Sequence, residues 1–214
     1  MGFGDFVDGP FWYFSLAVFV VGVSWRLYGM LSLASHVDLS AARGSAATGA
    51  LKANLVRFFP RSALGKLLRL PVVAGYLFHV GLFALLFFAA PHVDFYRERI
   101  TGFGWSAMPT WAFILASEAA FLGLMLLVLH RMMHPVTRTI SRRGDYIGSW
   151  LIFIVMLTGC LALARTYEPL RILHFFTAEL LLIYFPFSSL MHTFSFPFSR
   201  GFNGAHYGRR GVPA

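Results

Sequence analysis

The sequence predicts an all-α membrane protein, a five-transmembrane-helix bundle forming one domain over residues 1–214. Two observations carry that expectation. The chain is 57% hydrophobic and 13% charged, with a mean hydropathy of +0.66, which is more apolar surface than a soluble domain of this size can hide. Its charges also cluster between apolar runs of about 20 residues, the length that crosses a bilayer. The formal charge of +9 is therefore read as loop charge that sets orientation, not as a nucleic-acid surface. The single cysteine, Cys160, lies in an apolar run, which excludes an intrachain disulfide and any CxxC-type iron–sulfur or zinc motif. The amino terminus carries Asp5 and Asp8 and has neither a basic region nor a small-residue cleavage site. The first apolar segment is expected to be kept, not removed as a signal peptide.

The first span is expected at about 11–34, beginning after Pro10, and the second at about 71–90, ending at the pair Pro91–His92. The third is expected at about 109–129, the fourth at about 147–164 and the fifth at about 172–194. Charge orients them. Arg43, Lys52, Arg57, Arg61, Lys66 and Arg69 follow the first span, and Arg131, Arg138, Arg142 and Arg143 follow the third. Arg200, Arg209 and Arg210 follow the fifth, making thirteen basic residues against Arg97, Arg99, Arg165 and Arg171 on the opposite side. The positive-inside rule then puts the N-terminus outside and the C-terminus in the cytoplasm of a multi-pass protein of the cell (inner) membrane. The stretch LVRFFPRSALGKLLRL, 55–70, alternates basic and apolar residues. It suits a segment lying on the membrane surface or a docking platform for a cytoplasmic subunit.

Histidine is costly in a bilayer and is there for haem ligation, proton handling or interhelical hydrogen bonds. His174 and His192 bound the last apolar run, HFFTAELLLIYFPFSSLMH, eighteen residues apart. On one continuous helix that is five turns, so both would share a face roughly 27 Å apart, which suits two stacked haems. His79, about a third of the way into the second span, lies at a depth comparable with His192. That pair reads either as two ligands of one haem or as an interhelical hydrogen bond. His92 is the histidine that can face His174, but on an ideal helix it is about 220° from His79. Pro91 relaxes that objection. His36, His130, His134 and His206 fall among basic residues at the cytoplasmic boundary and are expected to be solvated.

Taken together, AVFVVGVSWRLYG (17–29), LFHVG (77–81), RMMHPVTRTISRRGDY (131–146), GCLAL (159–163) and FPFSSLMH (185–192) give the chain a family likeness. It resembles the gamma subunit of respiratory nitrate reductase, a five-span di-haem cytochrome b. It likewise resembles the membrane cytochromes of sulfite-reduction-associated and heterodisulfide-reductase-type complexes. The resemblance implies two b-type haems. His79 and His192 match the ligands of the cytoplasm-side haem, and His174 matches one ligand of the outer haem. The family's other outer ligand falls at Ala89 in this sequence, so either His92 takes its place or the outer haem is absent. That departure also argues for a relative of the nitrate reductase subunit and not the subunit itself.

Four charged residues complete the reading. Arg26, inside the first span, either pairs with a haem propionate or snorkels to the headgroups. Glu118 and Glu179 inside spans, and Glu98 in an outer loop, are candidate proton acceptors for a quinol, or hydrogen-bonded structural groups. The function expected from the resemblance is electron transfer between the quinone pool and a cytoplasmic iron–sulfur subunit, by quinol oxidation near the outer haem. The chain would then be an electron-transfer subunit within an oxidoreductase complex. The alternative is a haem-free or single-haem membrane anchor subunit of a redox complex.

Overall fold

The computed structural model describes residues 2–33, 41–59, 69–164 and 167–212. His36, Arg61, Lys66, Arg165 and most of the 55–70 stretch lie outside the described residues. Those described are helical, with no strand among them. Five helices are long and apolar enough to cross a membrane: α1 (Phe3–Leu31), α3 (Arg69–Phe88), α5 (Thr110–Met133), α7 (Arg143–Ala164) and α8 (Glu168–Tyr184, continued by a 3-10 turn to Phe187). Shorter elements are α2 (Ala46–Val56), α4 (Ala90–Tyr96) and α6 (Pro135–Ile140). The chain ends in α9 (His192–Arg209). Five apolar helices of this length are compatible with a multi-pass membrane protein, because a helix satisfies its own backbone where no water can.

Three breaks in the helices differ from the expected spans. Pro10 does not start the first helix, which already runs from Phe3; it sits inside a π turn, Val7–Phe11. Proline removes one N–H and presses on the carbonyl four residues back, and a wider turn makes room for both. The second span ends at Phe88: Ala89 is extended (φ −64°, ψ 134°), and Pro91 sits in the first turn of α4, where its missing N–H costs nothing. The third difference overturns the expectation of one helix from His174 to His192. The α-helix stops at Tyr184, tightens to a 3-10 turn over Phe185–Phe187, opens at Ser188 (φ −114°, ψ 175°) and tightens again over Ser189–Met191. Pro186 causes the break, and Ser188 repairs it: its hydroxyl donates to the Phe185 carbonyl (2.9 Å) and accepts from Leu190 N–H (3.1 Å). The two histidines therefore do not share a face of one helix.

The chain divides into two compact units. The first joins Met1–Tyr13 to Lys66–Leu181. Its centre is the antiparallel pair α3–α5, held at backbone contact by small residues, as is usual where lipid supplies no hydrophobic drive. A Cβ on Gly123 would strike Phe78 N and lie 2.6 Å from the Ala74 carbonyl. Cys160 reaches the Ser117 hydroxyl (3.7 Å) and Phe153 meets Phe121 edge-on (5.3 Å), which ties α7 to α5. The 102–109 loop closes over the end of α3: Trp105 Nε1 donates to the Phe87 carbonyl (2.7 Å) and Met108 N to that of Phe88 (2.8 Å). These are carbonyls that a helix end leaves unpaired. The N-terminal turn lies along α8, with Phe11 stacked on Phe176 (5.5 Å) and Asp8 held by Arg171.

The second unit joins Phe14–Gly65 to Leu182–Ala214. Phe19 of α1 meets Phe185 (5.4 Å) and Phe194 (6.0 Å). Helices α2 and α9 run antiparallel through small residues: a Cβ on Gly204 would meet the Gly49 carbonyl and Ala53 Cβ. Residues 43 and 44 cap α9, both N–H groups donating to the Arg209 carbonyl (2.8 and 3.1 Å). Arg200 lies over the rings of Phe58 (4.9 Å) and Phe196 (5.1 Å).

Candidate functional site

Three elements of the first unit meet at the pair His92 and His174. The break at Ala89 puts His92 on its own short helix, which removes the 220° objection. Its ring lies 6.0 Å from that of His174, centre to centre, with the planes 19° apart. His92 Nδ1 lies 2.9 Å from the Leu85 carbonyl in the last turn of α3. A carbonyl only accepts, so Nδ1 carries the proton and Nε2 keeps its lone pair.

His174 is held from α7. Thr158 Oγ1 lies 2.9 Å from the Ile154 carbonyl and 3.0 Å from that of Val155. It is also 3.3 Å from His174 Nδ1, which ties the imidazole to α7. Thr177 closes the network, 3.1 Å from Thr158 Oγ1 and donating to the His174 carbonyl (3.0 Å). Both threonines are buried, at 6% and 7% exposure, so these hydroxyls have no water to fall back on. Gly159 makes room for the imidazole: a Cβ there would lie 2.9 Å from His174 Cε1 and 3.3 Å from Nδ1.

This geometry fits a haem iron. A transition-metal ion about 2 Å from each of two imidazole nitrogens sets the ring centres roughly 6 Å apart. Ordinary aromatic pairs span that distance too, so the spacing alone does not select iron. The tautomers do more, because metal-ligating histidines donate their other ring N–H to a nearby acceptor. Two further histidines follow the same rule. His79 Nδ1 lies 2.7 Å from the Gly75 carbonyl, and His192 Nδ1 lies 2.8 Å from that of Ser189. His79 is half-buried in the first unit and His192 is exposed in the second. No group of three or more His, Cys, Asp or Glu side chains suited to a metal ion exists among the described residues. A bis-histidine haem asks for two.

The other candidates separate by burial. Arg26 is exposed, five residues before the end of α1. Glu118 is exposed on α5, and Glu98 is 67% exposed and 3.7 Å from Arg97. Glu179 is 1% exposed on α8, and neither carboxylate oxygen has a hydrogen-bond partner among the described residues. His130 and His134 stack at 5.0 Å where α5 ends. Beside His92, Ala90, Val93, Asp94, Arg97, Gly104 and Trp105 line a cleft of about 450 Å³.

No family model and no solved structure matches the chain. It is similar to a protein of Nitratidesulfovibrio vulgaris strain Hildenborough, described only as a protein, at 29% identity over 213 residues. The similarity takes in 94% of this chain and 92% of that one, so the two run together nearly end to end.

Sequence reasoning passed over several residues of the site. Nothing in the sequence near Thr158 ties it to a histidine on another helix, and nothing ties Thr177, three residues after His174, to Thr158. Asp8 and Arg171 are 163 positions apart yet meet in a two-fold bond of 2.7 and 3.1 Å. Gly159, within GCLAL, owes its small size to the His174 ring that it accommodates.

Proposed function

We propose that the chain is a membrane di-haem cytochrome b subunit, akin to the nitrate reductase gamma subunit and the related membrane cytochromes. It would transfer electrons between the quinone pool and a cytoplasmic iron–sulfur partner. The observation that carries this reading is the ring of His92 lying 6.0 Å from that of His174, with the His92 proton on Nδ1. Charge supports the orientation, N-terminus outside and C-terminus in the cytoplasm of the cell membrane. Arg97 and Arg171, on the side read as outer, are each paired with acidic groups, Asp94 and Glu98 for one and Asp8 and Glu168 for the other. The side read as inner keeps its arginine excess.

In this reading His92 and His174 hold the outer haem, and the resemblance implies His79 and His192 as ligands of the inner one. The haems supply one-electron chemistry at the iron. The protein supplies everything around it. Leu85 fixes His92 in one tautomer, Thr158 ties His174 to α7, and the Gly75 and Ser189 carbonyls fix the tautomers of His79 and His192. The helices keep water away and hold the ligands at two depths. A hydroquinone oxidised at the outer side loses two protons and two electrons, and the electrons pass inward to the partner docked on the basic cytoplasmic face.

A single-haem subunit is the second reading, favoured by the exposure of His192 and the broken helix that leads to it. Purification from haem-replete cells decides between them. A reduced-minus-oxidised spectrum of b type with about two haems per chain is expected. About one would support the second reading, and a colourless protein would overturn both.

A further inference from the structure

We propose that α9 is an interfacial helix whose phenylalanine face lies among the acyl chains of an anionic leaflet, at the boundary where α1 ends. Nothing in this depends on the haem reading above. Four-residue spacing puts Phe194, Phe198 and Phe202 on one stripe of α9. Gly204 and Gly208 carry the contact with α2, so α2 covers a different face. Phe194 begins the stripe against Phe19 of α1 (6.0 Å) and Phe185 (5.7 Å), whereas Phe198 and Phe202 are 44% and 62% exposed. Ser195, Ser199 and Asn203 each follow one of these rings by one residue, which places them about 100° further round the helix. A membrane span is apolar all round, and α9 is not one of the five helices apolar enough to cross. An apolar stripe beside a polar one, on a helix of low overall hydrophobicity, is the pattern of a helix lying in the membrane surface.

The depth at which α9 starts agrees. Near its end α1 carries Trp25, Arg26 and Tyr28, all exposed. Indole, phenol and guanidinium groups settle at the headgroup level, with their apolar parts turned inward. Phe19 lies seven residues before Arg26, roughly 10 Å deeper along the helix. Phe194, in contact with Phe19, therefore enters at about the 5–10 Å to which an interfacial helix buries its apolar face. From there the phenylalanine stripe runs on for two turns with no cover among the described residues of the second unit.

Charge selects the lipid. Arg200, Arg209 and Arg210 on and after α9 join Arg43, Lys52 and Arg57 on and beside α2, and no acidic residue occurs in 41–59 or 192–212. Basic side chains next to a membrane surface are drawn to anionic headgroups, each adding to the attraction. An acidic soluble protein would match the charge equally well. It would not match an apolar stripe that begins on a membrane-spanning helix, which is why the observations favour the leaflet.

The test uses the full-length protein in nanodiscs of phosphatidylcholine, with or without phosphatidylglycerol. Nitroxide labels are attached one at a time through Phe198→Cys, Phe202→Cys, Ser199→Cys and Asn203→Cys, each in a Cys160→Ser background. Labels at 198 and 202 should collide more with oxygen, which concentrates among acyl chains, than with a water-soluble nickel chelate. Labels at 199 and 203 should show the reverse. If all four favour the nickel chelate alike, the face belongs to water or to a soluble acidic partner, and the proposal is overturned. In the unlabelled wild-type protein, amide exchange across 192–209 should slow by about tenfold when phosphatidylglycerol replaces part of the phosphatidylcholine. Added salt should reverse that slowing. Equal exchange in the two lipids overturns the anionic leaflet as the occupant. Should a labelled variant fail to accumulate, the wild-type exchange measurement decides by itself.

Discussion

Replacing Gly159 with alanine adds one methyl group to α7 at the point where His174 crosses it. The new Cβ would lie 2.9 Å from His174 Cε1, 3.3 Å from Nδ1 and 3.4 Å from Nε2. Carbon atoms rest at about 3.5–4.0 Å, so the ring or the helix must give by roughly 0.6 Å. The ring has little freedom to do so, since Thr158 lies 3.3 Å from its Nδ1. Overpacking of this kind costs about 1–3 kcal/mol. Under the proposed haem reading, that is roughly a 5- to 150-fold weaker hold on the cofactor. The assay is haem per chain after extended washing, with the reduced-minus-oxidised spectrum of the outer haem. Gly75→Ala is the control: nothing lies within 4 Å of its added Cβ, and its carbonyl still accepts from His79. G75A should keep its haem and gain slightly in helix stability. If G159A were indistinguishable from G75A in both measurements, the packing of Gly159 against a ligand would be wrong.

Three further outcomes are expected. His92→Ala and His174→Ala should each remove the same haem, taking the ratio from about two to about one, and His79→Ala or His192→Ala the other; full cofactor content in any of the four would sink the ligand assignment. Thr158→Val keeps the shape of the side chain but removes the hydroxyl 3.3 Å from His174 Nδ1. It should loosen the outer haem by roughly 10–100-fold, measured by haem retention, and normal retention would remove Thr158 from the site. Gly204→Val forces a branched side chain into the Gly49 carbonyl and Ala53 and should cost the α2–α9 pair about 1–3 kcal/mol. Amide exchange across 46–56 should then speed up, and unchanged protection would mean that the pair does not depend on this contact.

The five apolar helices were legible from composition and spacing, because the bilayer leaves one solution for an apolar run of about 20 residues. Every backbone group must be bonded within its own segment, so hydropathy and length are enough to predict the helix. The candidate histidines were legible for a related reason: a polar ring in such a run needs a purpose. Which of them meet was a different question. His92 looked misdirected on an ideal helix, and His174 and His192 looked aligned on one. The structure reverses both, through the breaks at Ala89 and at Tyr184–Met191. Proline announces that a helix can break. It does not say whether the chain widens to a π turn, as at Pro10, restarts a helix, as at Pro91, or drops through 3-10 turns, as at Pro186.

The pairing of α2 with α9 was written in small residues, Ser45, Gly49 and Ala53 facing Gly204 and Gly208, but in a stretch read for its charge. By itself, then, the sequence determined the five membrane-length helices and which polar groups they carry. Only the tertiary structure decided which groups face one another. Helix formation is settled by the bonds of each segment with itself, whereas the meeting of His92 with His174, or Asp8 with Arg171, depends on side chains brought from far along the chain.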